Sequence, residues 1–179
     1  TVPCFDTSMD LSESAAAAEV IAEVMGYAHD AQVPYVVGWA SKDNEEQIAA
    51  NLERLLPLAE SYNICLLVKT SGIYADTGKL RKLLESYASD YMGALWDMHH
   101  PYRDFGESAD TTIKNLGTYV KHVHLRDSDD QDTYNLIGEG NMPVSDMIRA
   151  LSSINYDGFV SLEWKPAWME DLQDREVIF

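Results

Sequence analysis

The sequence predicts an α/β fold in which parallel strands are covered by helices on both faces. Three observations predict it. Apolar runs alternate with apolar residues at helical spacing along the whole chain. Each candidate strand is a continuous apolar run, which is typical of strands buried on both faces of a parallel sheet. The 179 residues are 46% hydrophobic and 24% charged, a composition that suits one folded core and excludes a disordered chain.

Six strand–helix units follow one another in the sequence. Asp10, with Glu13 three positions later, predicts an Asp version of the capping box before the first helix. Pro143 suits the first turn of a later helix, where its missing N–H is not needed. The predicted strands are 1–5, 34–39, 64–68, 92–96, 119–125 and 158–162, and the predicted helices are 11–32, 43–62, 77–87, 109–116, 143–154 and 167–179.

Polar residues at the strand ends favour a barrel over an open sheet. Each of four such residues lies at or just after the carboxyl end of a different strand: Lys69, Asp97, His124 and Glu163. In a closed parallel barrel those ends converge on one point, where the catalytic groups of such barrels lie. We therefore expect most of a (β/α)8 TIM barrel.

Asp97, His124 and Glu163 offer two oxygen ligands and one nitrogen ligand. That set suits a catalytic divalent ion such as Mn²⁺, Mg²⁺, Co²⁺ or Zn²⁺, with positions left open for substrate. Such an ion polarises a carbonyl and stabilises the enediolate that forms when a neighbouring C–H proton is removed, and a carboxylate can take that proton. Alternatively, a strand-end acid caps a helix and a lone His packs in a polar corner.

Two neighbouring motifs are less specific. His122 shares a strand face with His124 but lies further from the carboxyl end, so we expect it to pack in the core. The segment Gly138-Glu139-Gly140 follows the same strand, where barrel enzymes often bind phosphate. Because Glu139 repels an anion, a simple turn is at least as good an interpretation.

Charge and hydropathy exclude some classes of partner. Thirty acidic residues against 13 basic residues give a formal net charge of -17, whereas nucleic-acid binding needs clustered Lys and Arg. No apolar run approaches the roughly 20 residues of a spanning helix, and nothing resembles a signal peptide. We expect a cytoplasmic protein without nucleic-acid or membrane partners. Cys4 and Cys65 are expected to be small buried hydrophobes.

The order of several motifs resembles the xylose isomerase-like barrel superfamily, in particular its sugar phosphate isomerase/epimerase branch. The matching segments are GALWDMHH at 93–100, KHVHLRD at 121–127, IGEG at 137–140 and YDGFVSLE at 156–163, with a further likeness at 66–77. The resemblance runs from about residue 5 to residue 168. It implies strands three to eight of the barrel, so we expect residues 1–179 to be a single barrel domain truncated at both ends.

The resemblance also implies the roles of individual residues. Asp97, His124 and Glu163 match three of the family's four metal ligands, and His100 matches a substrate-contacting His. Arg126, in the same motif as His124, is assigned as a second substrate-binding residue. Sugars or sugar phosphates are the implied substrates, and proton abstraction next to a carbonyl is the implied reaction.

Lys69 departs from the family pattern because it stands where the fourth ligand, a Glu, is expected. In the family's epimerases the two ligand Glu residues also exchange the proton, so both the metal and the two-base mechanism are affected. A protonated Lys69 can pair with Asp97 and Glu163 in place of the ion. Alternatively, a lowered pKa makes Lys69 a neutral ligand or base, or its side chain turns outward. A divalent metal and a metal-free state both stay open.

These considerations predict a sugar or sugar-phosphate isomerase/epimerase in which Glu163 and Lys69 are the catalytic candidates. The alternative is a non-catalytic or metal-free carbohydrate-binding relic of the same fold, because of Lys69. DNA-repair cleavage also occurs in the superfamily, but the acidic charge opposes it. Six strands of a closed barrel leave two apolar edges, so we also expect a homo-oligomer.

Overall fold

The computed structural model describes residues 1–163, in which strands and helices alternate. Helices connect the successive strands of the main sheet. The strands are β1 (Cys4–Asp10), β2 (Tyr35–Ala40), β3 (Cys65–Gly72), β4 (Met92–Asp97), β5 (Val120–Leu125), β6 (Asp127–Ser128), β7 (Tyr134–Asn135) and β8 (Val160–Leu162). The helices are α1 (Ala15–Asp30), α2 (Glu45–Tyr62), α3 (Thr77–Tyr87), α4 (His99–Arg103), α5 (Ala109–Leu116) and α6 (Val144–Ser153).

Six strands form one parallel sheet in the order β1-β2-β3-β4-β5-β8. Each strand therefore lies beside the one that precedes it in this sheet, and the order never reverses. A doubly wound sheet reverses its order at a switch point, whereas a barrel continues in one direction. The predicted fold class is confirmed as a curled, six-strand parallel half-barrel of the (β/α)8 type.

The core lies mainly between the sheet and the helices, where alternate strand residues such as Val36, Leu66 and Val68 are fully buried. A smaller cluster lies on the opposite, inner face of the sheet. It consists of Val37, Leu67 and Leu95, each fully buried. This inner cluster forms the floor beneath the polar residues at the strand ends.

The first strand and first helix differ from the prediction. β1 continues to Asp10, and α1 begins at Ala15 with Ser14 as its N-cap residue, so the capping box predicted at Asp10 is wrong. Pairing of β1 with β2 extends the strand through polar residues that an apolar run does not reveal. Asp10 instead accepts hydrogen bonds from the backbone N–H groups of Ser12 at 2.9 Å and Ser41 at 3.2 Å.

Three elements near the strand ends were not predicted: the short helix α4 and the antiparallel pair β6–β7. Pro143 lies one residue before α6, and its carbonyl accepts from the N–H of Met147 at 3.0 Å. The predicted helix at 167–179 lies outside the described residues. Within residues 1–163, no helix combines the length and the apolar character needed to cross a membrane.

Strands β1 and β8 lie at the two edges of the sheet. The expected association of the chain with another copy through these edges stays a prediction. Cys4 and Cys65 are free thiols and only partly buried.

Candidate active site

Strand geometry brings the predicted residues to one face of the sheet. Side chains alternate along a strand, so residues two apart share a face. Lys69 follows Leu67 by two positions, and Asp97 follows Leu95 in the same way, so both point to the inner face above the small cluster. His124 is the partner of Asp97 in the β4–β5 ladder. The site therefore lies one layer above the inner cluster, at the carboxyl ends of the strands.

Glu163 reaches the same place from the end of β8. Its backbone N–H donates to the carbonyl of Leu125 at 2.9 Å, which fixes the residue beside β5. Its Oε1 then lies 3.7 Å from Nδ1 of His124. His124 and Glu163 thus lie side by side, and Asp97 shares their face of the sheet as the ladder partner of His124.

Lys69 occupies the centre of this group. Its Nζ lies 3.0 Å from Oδ2 of Asp97, 3.2 Å from Oε1 of Glu163 and 4.0 Å from Oδ2 of Asp6. The exposed fraction of the side chain is 12% for Lys69, 0% for Asp97 and 6% for Glu163. One buried ammonium therefore faces three carboxylates, and we call these four residues the charged cluster.

The charges of the cluster keep Lys69 protonated. Burial alone lowers the pKa of an ammonium, but the opposing charges of Asp97, Glu163 and Asp6 outweigh it and raise the pKa of Lys69 above its ordinary value. The side chain also points inward rather than toward solvent. The structure thus favours ion pairing with Asp97 and Glu163 over a neutral amine and over an outward-turned Lys69.

A divalent ion does not fit among these groups as they stand. An ion held jointly by Asp97 and Glu163 would compete with the ammonium of Lys69 for the same oxygen atoms. A protonated amine has no lone pair to offer a metal and repels a second cation. The arrangement suits an ammonium, and the metal ligands assigned to Asp97, His124 and Glu163 stay a prediction.

Residues 1–163 contain two groups of three potential ligands whose ligand atoms all lie within 4.8 Å of one another. In one of them Asp6, rather than Asp97, joins His124 and Glu163. The other consists of Cys4, His122 and His124. Burial and then the nearby Asp6 charge raise the pKa of the Cys4 thiol to about 11, which opposes the thiolate that a metal binds.

His100 borders the charged cluster from α4. Its Nδ1 lies 2.7 Å from Oδ2 of Asp104, and its Nε2 lies 3.7 Å from Oδ2 of Asp97. Since the Asp104 carboxylate accepts at Nδ1, the proton is assigned to Nδ1 and Nε2 faces the cluster. The side chain is 26% exposed, so a molecule entering from solvent can reach it.

Arg126 lies buried beneath two imidazoles. Its Nη2 is 2.6 Å from Nδ1 of His99 and 3.3 Å from Nε2 of His100, and its guanidinium lies over the ring of Tyr134 at 4.8 Å. Burial, and next the Arg126 charge, lower the pKa of His99 to about 4, so that ring is neutral near pH 7. These contacts orient His99 and His100, and direct contact of Arg126 with substrate stays a prediction.

The loop at 136–142 wraps around a carboxylate of the chain itself. Oδ2 of Asp127 accepts from the N–H groups of Gly138 at 2.8 Å and Gly140 at 3.2 Å. Its Oδ1 accepts from Ser128 at 2.8 Å and Met142 at 3.2 Å. We call this arrangement the Asp127 cradle. Because it uses the glycine N–H donors, the structure supports a turn rather than a phosphate site at Gly138-Glu139-Gly140.

His122 is fully buried, as expected of a core residue, with Nε2 3.0 Å from Oγ of Ser161. Two residues near the site were missed. Asp6 directly follows the apolar run of β1, the signal that identified the other strand ends, but the predicted strand stopped one residue earlier. His99 lies in the same motif as His100, and no spacing rule distinguishes the two rings.

The family model for the xylose isomerase-like TIM barrel matches residues 3–177. A curated relative, fructoselysine 3-epimerase from Escherichia coli O157:H7, is 25% identical over 131 residues, which cover 70% of this chain and 47% of that protein. The chain thus spans about half the length of the curated relatives it matches.

Two solved structures have the same fold. A xylose isomerase domain protein from Planctomyces limnophilus has a TM-score of 0.75 at 14% identity, over 92% of this chain and 71% of that one. A D-allulose 3-epimerase from Methylomonas sp. has a TM-score of 0.70 at 16% identity, over 89% and 62% respectively. At these identities the likeness shows the fold alone.

Proposed function

The chain belongs to the xylose isomerase-like TIM barrel family, and on that premise we propose that it is part of a sugar isomerase or epimerase. Its substrate is a ketose, an aldose or a phosphorylated or otherwise substituted derivative of one. The relative from Escherichia coli O157:H7 carries the name of a sugar epimerase, which supports this class. The reaction is proton transfer at a carbon next to a carbonyl.

Glu163 is the proposed base. Its carboxylate takes the proton from the carbon next to the carbonyl, and the C–H electron pair forms the enediolate while the carbonyl oxygen gains the negative charge. Return of that proton to the former carbonyl carbon, while the hydroxyl proton of the first carbon moves to the former carbonyl oxygen, gives an isomer. Delivery of a proton from water to the other face of the first carbon gives an epimer, and Glu163 then releases its proton to solvent. Positioned general bases contribute roughly 10²–10⁴-fold to such steps.

Lys69 and His100 are proposed to act on the substrate oxygens. The ammonium of Lys69 can donate a hydrogen bond to the oxygen that becomes negative in the enediolate, which stabilises charge as it develops. His100 borders the cluster, and a substrate hydroxyl is proposed to reach its Nε2 in competition with the N–H of Arg126, which lies 3.3 Å away. Arg126 and Asp104 hold that ring from its two sides and are proposed as positioning residues.

The observation that carries the proposal is the pairing of Glu163 with Lys69. A carboxylate and an ammonium lie 3.2 Å apart where three strands end. Their side chains are nearly buried but border the open face of the sheet, and a base beside a cation is what enolisation requires. Catalytic groups of this type of barrel lie at the same strand ends.

The test is hydrogen exchange at the reacting carbon. The protein is incubated in D2O with a panel of ketoses, aldoses and their phosphates, and ¹H NMR follows the C–H signals next to the carbonyl. We expect deuterium at that carbon for at least one sugar, with a new sugar appearing as isomer or epimer. The product identifies which of the two transfers occurs.

Glu163→Gln is the matched variant because it keeps the size of the side chain and removes the base. We expect exchange to fall roughly 10²–10⁴-fold in this variant, while Glu139→Gln, in the exposed loop, leaves it unchanged. Folded protein that binds a sugar without exchanging any C–H proton would contradict the proposal. That result would favour the carbohydrate-binding relic.

A further inference from the structure

We propose that Lys69 is the built-in cation of this site and that it takes the place of a divalent metal ion. This inference rests on the proposed function only for the statement that the site is catalytic. The cationic charge that a metal would supply is then part of the polypeptide. The site consequently works without a divalent ion and binds one poorly.

The positions of the carboxylates support this assignment. Asp97 lies in β4, Asp6 lies in β1 and Glu163 directly follows β8, and all three lie within 4.0 Å of the Lys69 ammonium. Side chains from separate strands that converge on one point are arranged around a cation. In residues 1–163 that cation is Lys69, which is contributed by a fourth strand, β3.

Lys69 is also held where it lies. Its backbone is the partner of Leu95 in the β3–β4 ladder, which fixes the direction of the side chain. Moving the ammonium away would leave the fully buried carboxylate of Asp97 without its opposite charge, which is strongly unfavourable. A metal ion that enters must therefore displace Lys69 or bind beside a positive charge.

The same geometry predicts how a metal site could be created. Lys69→Glu would add a carboxylate next to Asp97 and to the group of Asp6, His124 and Glu163, whose ligand atoms lie within 4.8 Å of one another, and would remove the competing ammonium. Carboxylates with one imidazole suit Mn²⁺ and Mg²⁺, whereas a Cys–His–His group such as Cys4, His122 and His124 suits Zn²⁺. Mn²⁺ is thus the probe that reports on the carboxylate site.

The experiment measures Mn²⁺ binding to the full chain after removal of metals, by electron paramagnetic resonance of free Mn²⁺ and by calorimetry. We expect no stoichiometric binding to the wild-type protein. We expect Lys69→Glu to bind about one equivalent, with an affinity at least ~100-fold higher than wild type, since the substitution removes a repelling charge and adds a ligand. Thermal stability of Lys69→Glu should then rise on addition of Mn²⁺.

Two further variants separate the effect of removing the ammonium from the effect of adding a ligand oxygen. Lys69→Met removes the ammonium without adding an oxygen and should bind Mn²⁺ more weakly than Lys69→Glu. Lys114→Glu makes the same change of charge on the exposed face of α5 and should bind no more Mn²⁺ than wild type. Circular dichroism verifies that each variant is folded.

Stoichiometric, tight binding of Mn²⁺ by the wild-type chain would overturn the inference, and this result does not depend on whether Lys69→Glu folds. Folded Lys69→Glu that binds no better than wild type would overturn it as well. Neither readout requires a substrate. Failure of the proposed isomerase activity and failure of the built-in cation are therefore distinguishable.

Discussion

The charged cluster and the Asp127 cradle neutralise buried carboxylates in opposite ways. In the cluster, Oδ2 of Asp97 lies 3.0 Å from the ammonium of Lys69, and Oδ1 accepts from the N–H of His99 at 3.0 Å. In the cradle, Asp127 accepts hydrogen bonds from four backbone N–H groups and forms no ion pair with any residue of 1–163. The two aspartates are 0% and 1% exposed, so burial does not distinguish them.

The difference separates a reactive charge from a structural one. The Lys69 ammonium is carried by a long side chain and is shared by several carboxylates, so a substrate oxygen can compete for it. The donors of the Asp127 cradle are main-chain groups of a closed loop. A Cβ added at Gly140 would lie 2.2 Å from Oδ1 of Asp127, so the loop closes directly on the carboxylate. We therefore expect the charged cluster to take part in the reaction and the Asp127 cradle to stabilise the fold.

The largest expected effect on stability is at Lys69. Lys69→Met leaves the buried carboxylates of Asp97 and Glu163 without their cation, and breaking a buried ion pair from one side costs about 3–5 kcal/mol. Urea unfolding at pH 7 measures the loss. The double variant Lys69→Met/Asp97→Asn should lose less stability than Lys69→Met alone, because Asp97→Asn removes one of the unpaired charges.

Lys79→Met is the control for this comparison. Lys79 pairs with Asp43 at the surface, where ion pairs contribute up to about 1 kcal/mol. Equal losses for Lys69→Met and Lys79→Met would mean that the charged cluster has no special role in stability. The proposed difference between the charged cluster and the Asp127 cradle would then be wrong.

The next effect concerns the cradle. Asp127→Asn keeps the shape of the side chain but replaces one acceptor oxygen with a donor, so two of the four backbone N–H groups lose their partner. Each buried unsatisfied group costs about 1–3 kcal/mol, and because both lost hydrogen bonds are only partly buried we expect the lower part of the combined range, roughly 2–4 kcal/mol. Hydrogen exchange should also become faster at the amides of Gly138 and Gly140.

Asp130→Ala tests whether that loss is specific to the cradle. Asp130 lies on the same connection, pairs with Arg103 at 3.3 Å, accepts from the side-chain amide of Asn141 at 2.6 Å and is 79% exposed. Because these contacts are exposed, its removal should cost less than about 1 kcal/mol. Slow exchange at Gly138 and Gly140 in Asp127→Asn would show that the loop does not depend on the carboxylate. The two regions would then differ less than their geometry suggests.

Most residues of the candidate site could be predicted because the end of an apolar run in the sequence locates the carboxyl end of a strand. Lys69, Asp97, His124 and Glu163 all follow such runs, and the barrel order of the strands brings them together as expected. Alternation along β3 and β4 also fixes their common face. The Lys at position 69 is a departure from the family pattern that the sequence itself shows.

What the sequence did not reveal depends on contacts rather than on spacing. Asp6 was missed because backbone pairing extends β1 through polar residues. The orientation of Arg126 toward His99 and His100 follows from the short helix α4, which is too short to have a periodic pattern. Whether Lys69 points inward is a matter of side-chain packing and charge, and local sequence does not encode it.

The smallest predicted effect extends the comparison to a third carboxylate, Asp10, which is held by neutral donors as in the cradle but near the surface. Burial raises its pKa, but hydrogen bonds from the side chains and backbones of Ser12 and Ser41 outweigh it and lower the pKa below the ordinary value of 3.8. Asp10→Asn should cost about 1 kcal/mol at pH 7.

A lowered pKa in the folded state means that this stabilisation is fully present above the unfolded value and is lost as pH falls through the folded value. Below that point the protonated Asp10 of the wild-type protein resembles the amide of Asp10→Asn. The difference in urea midpoint between the two proteins should therefore persist from pH 7 to pH 5 and shrink below about pH 4.

Asp90→Asn, at an exposed loop position, should show no difference at any pH. If the difference in urea midpoint between wild type and Asp10→Asn stays constant down to pH 3, the hydrogen bonds from Ser12 and Ser41 do not depend on the negative charge of Asp10. The neutral donors would then stabilise the protonated and the ionised side chain equally.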